Sequence, residues 1–481
     1  MIIEKYAQDI AWKLFDLGRG VSLTNREWLD HALNLLFLKY ICDLSSTQST
    51  TIPNRLEKLI GKIQWDGFTR SSNIGEALDK DVNKIIEANP DFKAILNKTE
   101  FSKIPELTLN QMISILSNPQ IKDNGFGLFS HYATISESII NFEASNQKFG
   151  GENFTPKWVT ELMARLVNPQ KGMTIHDPVC GTGGLFVECA KLLSPKDQDF
   201  SQLDFFGQEK NDQIAKVCQI NLLLHGLNNF EVQTGDTLRD PKFIKSDNLE
   251  QFDTVVANPP LNISEWGYEE FHRKDKLNRF RYGIPPRKNG DFAFIQHMIA
   301  TMKPDSGKAV ILVSPGVLFR SGVEQDIRKG IIESDIVEAA IVLPANLLYS
   351  TNIPLAILVL NRSKPSRKNK VLIIDASNEY KKLNRGVNSF DTKNIDDIVE
   401  IFNNFEKLDK NKSGLAKFAS LQDIENIKQH DYQLNANRYI TAPRIKIDVE
   451  EKRLELHHLE IERLQLEDKM DQILEDLEIL T

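Results

Sequence analysis

The sequence predicts an α/β protein in three parts: an all-α N-terminal domain over residues 1–145, an α/β domain over 146–443, and a C-terminal coiled-coil-like helix over 444–481. Three observations predict this. Up to about residue 145, apolar residues recur at helical spacing and no run reads as a strand. From about 170, short apolar runs alternate with helical segments, the signature of an open, mostly parallel sheet with helices on both faces. The last thirty-odd residues are highly charged and carry leucines spaced by sevens.

In REWLDHALNLLFLKYICDL the residues Trp28, Leu29, Leu33, Leu35, Leu36, Leu38 and Ile41 recur as an amphipathic or buried helix requires, and IGEALDKDVNKIIEA and LTLNQMISILS repeat the pattern. The strand-and-helix alternation begins with MTIHDPV and FVECAKLL, continues with LDFFGQE and IAKVCQINLLLHG, and runs on through FEVQTGD, FDTVVANPP, AVILVSPG, AAIVLPA and IPLAILVLN. Residues 363–443 are polar and mixed, with the basic SKPSRKNK followed by KVLIIDAS as an extra strand. In the tail, Leu459, Leu466, Ile473 and Leu480 form one seam, and Leu456, Met470 and Leu477 the companion position, which Arg463 interrupts. About three heptads suit a short coiled coil or a terminal helix packed on its own domain.

A net charge of -8 over 481 residues gives the chain no general means of holding nucleic acid by phosphate contacts, so DNA handling would need a local patch or a partner. Cys42, Cys180, Cys189 and Cys218 lack metal-ligand spacing, so neither a zinc site nor a disulfide framework is expected, in keeping with a reducing cytoplasm. No apolar run approaches the roughly 20 residues of a membrane span, and the start lacks the layout of a signal peptide, so no membrane association is expected.

The chemistry-bearing residues stand where runs end, and in such sheets ligands sit beyond the carboxyl ends of the strands. DPVCGTGG, residues 177–184, follows a predicted strand and opens a predicted helix; its glycines permit a tight turn and a close approach of backbone amides to a ligand. Neither GxGxxG nor GxxxxGK[ST] occurs, which argues against NAD and ATP. Glu209 ends the next strand, where a carboxylate suits the two hydroxyls of a ribose. Asp236, in GDTL after the third strand, is placed to contact an adenine ring or to cap the next helix. In QFDTVVANPPLN the apolar run Thr254–Val256 is stopped by Asn258, Pro259 and Pro260, because proline donates no amide hydrogen and fixes φ. The Asn258 side-chain oxygen and the Pro259 carbonyl are then free to accept the two N–H bonds of an exocyclic amine, favouring a lone pair aimed at an electrophilic methyl group. No metal is required.

These residues resemble the amino-methyltransferases of DNA, whose catalytic motif is D/N/S-P-P-aromatic, and the Asn form is similar to the N6-adenine enzymes. GGENFTPKWVTELMARLV, residues 150–167, resembles the [GE]-x-[FY]-T-P-[RK] segment of the modification subunits of type I restriction-modification systems. The resemblance runs through nearly the whole chain and implies a Rossmann-like, S-adenosylmethionine-dependent methyltransferase domain. It places the cofactor on Glu152, Asn153, Phe154, Thr155, Pro156 and Lys157, on Thr182, Gly183 and Gly184, and on Glu209, with Asp177 ordering the turn. Thr155 and Pro156 look like the N-cap and first residue of a helix. The implied partners are DNA, a specificity subunit docked on the C-terminal helix, a second modification subunit, and a motor-nuclease restriction subunit.

One position departs from the pattern: the family's aromatic residue after the prolines is Leu261, with Trp266, Tyr268 and Phe271 nearby to stack on a flipped adenine instead. The departure leaves room for a catalytically weak or silent scaffold. NPP turns also serve enzymes that methylate protein glutamine or RNA guanine. The DNA recognition sequence is not legible in the chain, nor is the preference for hemimethylated or unmethylated DNA.

Overall fold

The computed structural model describes residues 2–46, 55–68, 71–96, 99–117, 128–146, 154–193, 202–273, 275–348, 352–383, 387–407, 417–440 and 449–476. By internal contacts the chain divides into two units, Met1–Ile440 and Thr441–Thr481. Apart from single-turn helices, the first unit opens with α1 (Ile2–Gly18), α2 (Asn25–Ser46), α3 (Ile74–Ala88), α4 (Glu106–Leu116) and α5 (Leu128–Asn146). The three N-terminal stretches read as helical lie in α2, α3 and α4. After them come α6 (Lys157–Val167), α7 (Gly184–Leu193), α8 (Asp212–Leu224), α9 (Asp291–Thr301), α10 (Val323–Glu333) and α11 (Thr392–Asn404).

These later helices alternate with or flank nine strands: β1 (Thr174–Asp177), β2 (Asp204–Glu209), β3 (Phe230–Thr234), β4 (Thr254–Ala257), β5 (Lys308–Val313), β6 (Val337–Val342), β7 (Ala356–Asn361), β8 (Lys370–Asp375) and β9 (Ala419–Asp423). Together the strands make one sheet in the order β9-β8-β6-β7-β5-β4-β1-β2-β3. All pairings are parallel except those of β7 with β5 and β6 and of β9 with β8, so the sheet is mostly parallel, as expected. KVLIIDAS supplies β8; β9 and α11 come from the stretch that reads only as polar and mixed.

The period-two alternation of strand side chains divides the sheet's apolar residues between two cores. Val256, Val310, Leu312, Ile357 and Val359 face the core shared with α6, α7, α8 and the N-terminal helices. Val255, Ala257, Ala309, Ile311 and Leu358 face a second core with α9 and α10. Burial on both faces is why these strands read as continuous apolar runs rather than as alternating ones.

The N-terminal helices are part of the first core. α2 is buried around most of its circumference, as a helix apolar on nearly all sides must be, and it packs against α5 and α8. Its one deeply buried cation, Lys39, meets Asp43 at 2.5 Å, and the Tyr132 hydroxyl of α5 donates to the other oxygen of Asp43 at 2.6 Å. A second polar cluster ties α5 to three elements of the sheet region. Glu137 accepts from Lys191 of α7, from His225 Nε2 after α8 at 3.0 Å, and from Lys157 of α6 at 3.4 Å. Burial alone would push the Glu137 pKa up; the hydrogen bond from His225 and the charges of Lys191, His225 and Lys157 outweigh it and hold the carboxyl well below its usual range.

The second unit contains α12 (Val449–Asp476), about 42 Å long at the helical rise of roughly 1.5 Å per residue. Leu456, Leu459, Leu466, Met470 and Ile473 are exposed on it. Leu477 and Leu480, the last members of the two seams, lie outside the described residues.

A depressed carboxylate pKa contributes stability that is fully present above the unfolded value, about 4.3 for Glu, and is lost as pH falls through the folded value. Glu137→Gln is therefore expected to destabilise the fold at neutral pH and to flatten the acid side of its stability profile. The loss should be roughly 2 kcal/mol, less than the 3–5 kcal/mol typical of a broken buried pair, because 21% of the side chain remains exposed. Urea unfolding between pH 3 and 7 measures both; an acid limb parallel to wild type would assign that limb to other carboxylates.

Candidate active site

The carboxyl ends of β1, β2 and β4 converge on a cavity of about 540 Å³, next to the point where the strand order reverses between β1 and β4. Its walls bring together Thr155, Asp177, Thr182, Gly184, Glu209, Asp236, Asn258 and Pro260 from five stretches of sequence. Phe154, Pro156, Lys157, Gly183, Pro259 and Leu261 do not line it; Glu152 and Asn153 lie outside the described residues.

The glycine turn is held from three directions. The Asp177 carboxylate accepts the Val179 N–H at 2.9 Å, Cys180 N–H bonds to the Gln208 carbonyl at 2.9 Å, and the Glu209 carboxylate accepts the Gly181 N–H at 3.1 Å. The other Glu209 oxygen accepts from Asn211 N–H at 2.8 Å. Burial pushes the Glu209 pKa up, against the hydrogen bonds of Asn211, Gly181 and Lys210 and the charge of Arg26. Asp177 is pushed well up by burial and further by Glu209, against the hydrogen bond from Val179. Two buried carboxyl groups thus share one wall, a setting that favours ligand hydroxyls and amines over anions.

One of the turn's glycines, Gly183, acts differently from the close-approach role read in the sequence, while Gly181 and Gly184 line the cavity. Gly183 has φ +81°, and a Cβ there would meet Cys218 Sγ of α8 at 2.9 Å, so its missing side chain makes room for α8 rather than for a ligand. Asp236 is followed by a turn, not a helix: one oxygen accepts from Leu238 and Arg239 N–H at 3.1 and 3.2 Å, and the other pairs with Lys210 and Arg239 at 3.0 and 3.1 Å. Burial raises its pKa, but these partners, Lys210 foremost, bring it below the usual value.

At the mouth of β4, the Asn258 side-chain amide donates to the Thr155 hydroxyl at 2.9 Å. That bond commits the nitrogen end of the amide and leaves Oδ1 without a described donor, free to accept from a ligand amine. Among the described residues no group donates to the Pro259 carbonyl either. Thr155 is therefore not a helix cap. α6 starts at Lys157 with Pro156 at the N-cap, and the hydroxyl reaches across 103 positions of sequence to Asn258. Beyond the prolines, Asp291 at the start of α9 accepts from Asn262 N–H at 2.8 Å and from Ser314 Oγ at 2.7 Å, while Arg320 bridges Asp291 and Asn262 at 3.1 and 2.5 Å. This network fixes the exit of the turn. Leu261 falls back onto the core, partly buried.

An aromatic wall completes the cavity. Trp266, 1% exposed, lines it beside Phe294 and Ile263; its indole N–H donates to the Pro286 carbonyl at 2.9 Å, and its ring packs with Phe271, Phe280 and Tyr268. Of the three aromatics named as alternatives to Leu261, only Trp266 reaches the lining.

Residues 132–448 match the N-6 DNA Methylase family. The chain belongs to that family. It is 33% identical over 341 residues to the MjaVII type I restriction enzyme methylase subunit of Methanocaldococcus jannaschii, covering 68% of this chain and 56% of that subunit. With the MjaIX methylase subunit of the same organism it shares 30% over 437 residues, 86% of this chain and 76% of the relative. A type I restriction-modification methyltransferase subunit from Streptococcus thermophilus has the same fold, with TM-score 0.71, 22% identity and coverage of 91% of this chain and 100% of that one. The chain thus spans little more than half of the MjaVII subunit.

Among the residues that line the cavity, the sequence alone does not point to Arg26, Lys210, Asn211, Thr237, Leu238, Arg239, Glu265 or Phe294. Lys210 and Asn211 adjoin Glu209 and were within reach of the motif. Arg26 was not: it stands in the first turn of α2, fixed by reciprocal bonds between Thr24 and Glu27 at 2.8 and 3.3 Å, and reaches the cavity only through the packing of α2 against α8.

Gly183→Ala should cost about 1–2 kcal/mol for the left-handed backbone alone, plus the displacement of Cys218. A drop in thermal midpoint that a second substitution, Cys218→Ala, partly restores would check the assignment; no restoration would return Gly183 to a ligand-facing role.

Proposed function

We propose that the chain transfers a methyl group from S-adenosylmethionine to N6 of adenine in double-stranded DNA, as the modification subunit of a type I restriction-modification complex. The observation that carries the reading is the Asn258–Thr155 hydrogen bond at the end of β4. It commits the nitrogen end of the Asn258 amide and leaves its oxygen to accept, and the carbonyl of the next residue, Pro259, which does not itself line the cavity, has no described donor; together they would give two neutral acceptors for the two N–H bonds of one amino group. An exocyclic amine is a weak nucleophile because its lone pair is delocalised into the ring. Two acceptors held out of the ring plane pull the nitrogen toward a tetrahedral shape and localise the pair, a stabilisation that grows toward the transition state. Neither a metal ion nor a strong base enters this step.

The cavity fits the cofactor. Its volume is within the range of small-molecule sites, and three carboxyl-bearing residues, Asp177, Glu209 and Asp236, line the ends of β1, β2 and β3. Glu209 would accept from the ribose hydroxyls, Asp236 would face the adenine end, and Gly184 with Thr182 at the start of α7 would take the methionine end. When bound, S-adenosylmethionine supplies an electrophilic methyl group on a sulfonium. The chain's own contribution is orientation: Thr155 fixes the amide, Asp291 and Arg320 fix the turn, and the Trp266 wall excludes water from the reacting end. A base inside a duplex must be flipped out to reach Asn258, at a cost of about a few kcal/mol.

In this reading the domains keep the division 1–145, 146–443 and 444–481, and the protein works in the cytoplasm. Net acidity makes the isolated chain a poor DNA binder, so sequence choice and phosphate contacts come from a specificity subunit held by the C-terminal helix, with a second modification subunit and a restriction subunit completing the complex. The exposed apolar residues of α12 support a helix whose stability comes from packing against a partner.

Asn258→Ala is expected to abolish methyl transfer while leaving S-adenosylmethionine affinity nearly unchanged, and Thr155→Val to lower kcat with little change in KM for DNA. Tritiated-methyl transfer offered to DNA, RNA and protein, with calorimetry on the same variants, makes the measurement; loss of cofactor binding in Asn258→Ala would contradict the role. Truncation after Pro443 should leave a folded protein that still binds S-adenosylmethionine but assembles poorly with the specificity subunit. Full-strength co-purification and normal methylation by the truncated chain would sink that assignment.

A further inference from the structure

A second cavity, of about 250 Å³, opens at the opposite end of the sheet. Gln251 leads into β4, Pro304 leads into β5, and Arg362 follows β7, whose last residue pairs with the first of β5; all three border this cavity at the amino ends of the parallel strands. The walls carry three arginines, Arg279, Arg281 and Arg362, along with the side-chain amides of Gln251 and Asn278, and no Asp or Glu is among the described lining residues.

The arginines are not equivalent. Arg279 is buried and committed: its guanidinium engages Asp275 at 2.8–3.2 Å and donates to the Leu238 carbonyl at 2.8 Å. Arg281 and Arg362 have no carboxylate partner within ion-pair distance among the described residues. Arg281 lies over the Tyr282 ring, 4.7 Å from its centroid, and donates one N–H to the Tyr282 hydroxyl at 2.7 Å. Arg362 donates one N–H to the Ile299 carbonyl at 2.9 Å, while its Nε is buried with no acceptor. Burial, and then the nearby charge of Arg281, hold the Arg362 pKa below the usual arginine value; Tyr282 and Asp305 act in the opposite sense.

The Arg362 Nε–H, buried without an acceptor, is costly, and the exposed Arg281 guanidinium beside it adds a repulsion that water only partly screens, unless something of opposite charge sits between them. A single oxyanion meets both demands, because its oxygens accept several N–H bonds at once and its charge turns the repulsion into attraction. We propose that this cavity binds an anion of the phosphate class between Arg281 and Arg362, with Arg362 Nε–H as one donor. The site is separate from the methyl-transfer cavity and does not depend on the function assigned to it. The phosphate can come from a small molecule such as a diphosphate or from the backbone of DNA; the cavity's place at the amino ends of the strands, with Asn258 beyond the carboxyl end of β4, favours the small molecule.

Calorimetry and thermal unfolding of the full chain with pyrophosphate, against sodium chloride at equal ionic strength, test the proposal. Pyrophosphate is expected to bind and to raise the thermal midpoint in a saturable way that chloride does not reproduce. Arg281→Gln, at an exposed position that folding tolerates, should weaken that binding at least about tenfold; Arg362→Gln should do the same, and Arg362→Lys, which keeps the charge but loses the planar fork, should fall between. Asn258→Ala should bind pyrophosphate as wild type does, which separates this site from the methyl-transfer reading. If pyrophosphate gives no shift but Arg281→Gln weakens binding to a non-specific duplex and lowers its salt dependence by about one charge, the phosphate belongs to DNA. An equal shift with chloride, or wild-type binding of both pyrophosphate and duplex by Arg281→Gln, overturns the proposal.

Discussion

Two consecutive prolines at the end of a buried parallel strand constrain everything around the cavity at the carboxyl ends of the strands. β4 is enclosed on both faces and paired on both edges, so its interior leaves no polar group to spare. Only where Pro259 and Pro260 end the ladder do acceptors become free, and they do so at the carboxyl edge, where the glycine turn and the ends of β2 and β3 also arrive. An asparagine amide standing there would rotate between equivalent orientations. The Thr155 hydroxyl removes that freedom by taking the nitrogen end. Orientation of one neutral amide, rather than a charged residue or a metal, is what the surrounding shell is organised to provide.

The same logic makes the N-terminal helices part of the machinery. From α5, Ser136 donates to Asn221 of α8 at 2.8 Å, and Asn221 donates in turn to the Thr182 carbonyl in the glycine turn at 2.9 Å. Glu137, one residue along, holds α6, α7 and the end of α8. Arg26 from α2 completes the cavity wall beside Glu209. A disturbance in the helical region therefore reaches the glycine turn and the cavity beside it through two or three hydrogen bonds, without passing through the sheet.

Much of this was legible in the sequence because a doubly wound sheet writes its strands as short apolar runs and its chemistry at their ends. MTIHDPV, LDFFGQE, FEVQTGD and FDTVVANPP each contain a strand and, at its carboxyl end, a residue that lines the cavity. What stayed hidden depended on tertiary contact. Thr-Pro before a helical run has the form of a cap, so the sequence cannot reveal that the Thr155 hydroxyl serves Asn258 instead. Gly183 carries the mark of a nucleotide-binding turn, yet the group it accommodates is Cys218, on a helix many residues later. β9, ASLQD, is a half-buried edge strand with mostly polar residues, and pattern alone gives no reason to read it as one.

The antiparallel strand β7, set between two strands that run the other way, bears on how the sheet comes together. Its pairing with β6 closes only residues 343–355, whereas its pairing with β5 closes residues 314–355. On loop-closure entropy the shorter connection is favoured by about 1 kcal/mol. Loop closure therefore favours the pairing of β6 with β7 over that of β7 with β5. The β5–β7 seam, which bridges the two halves of the sheet, is thus the pairing of β7 that carries the larger entropy of closure.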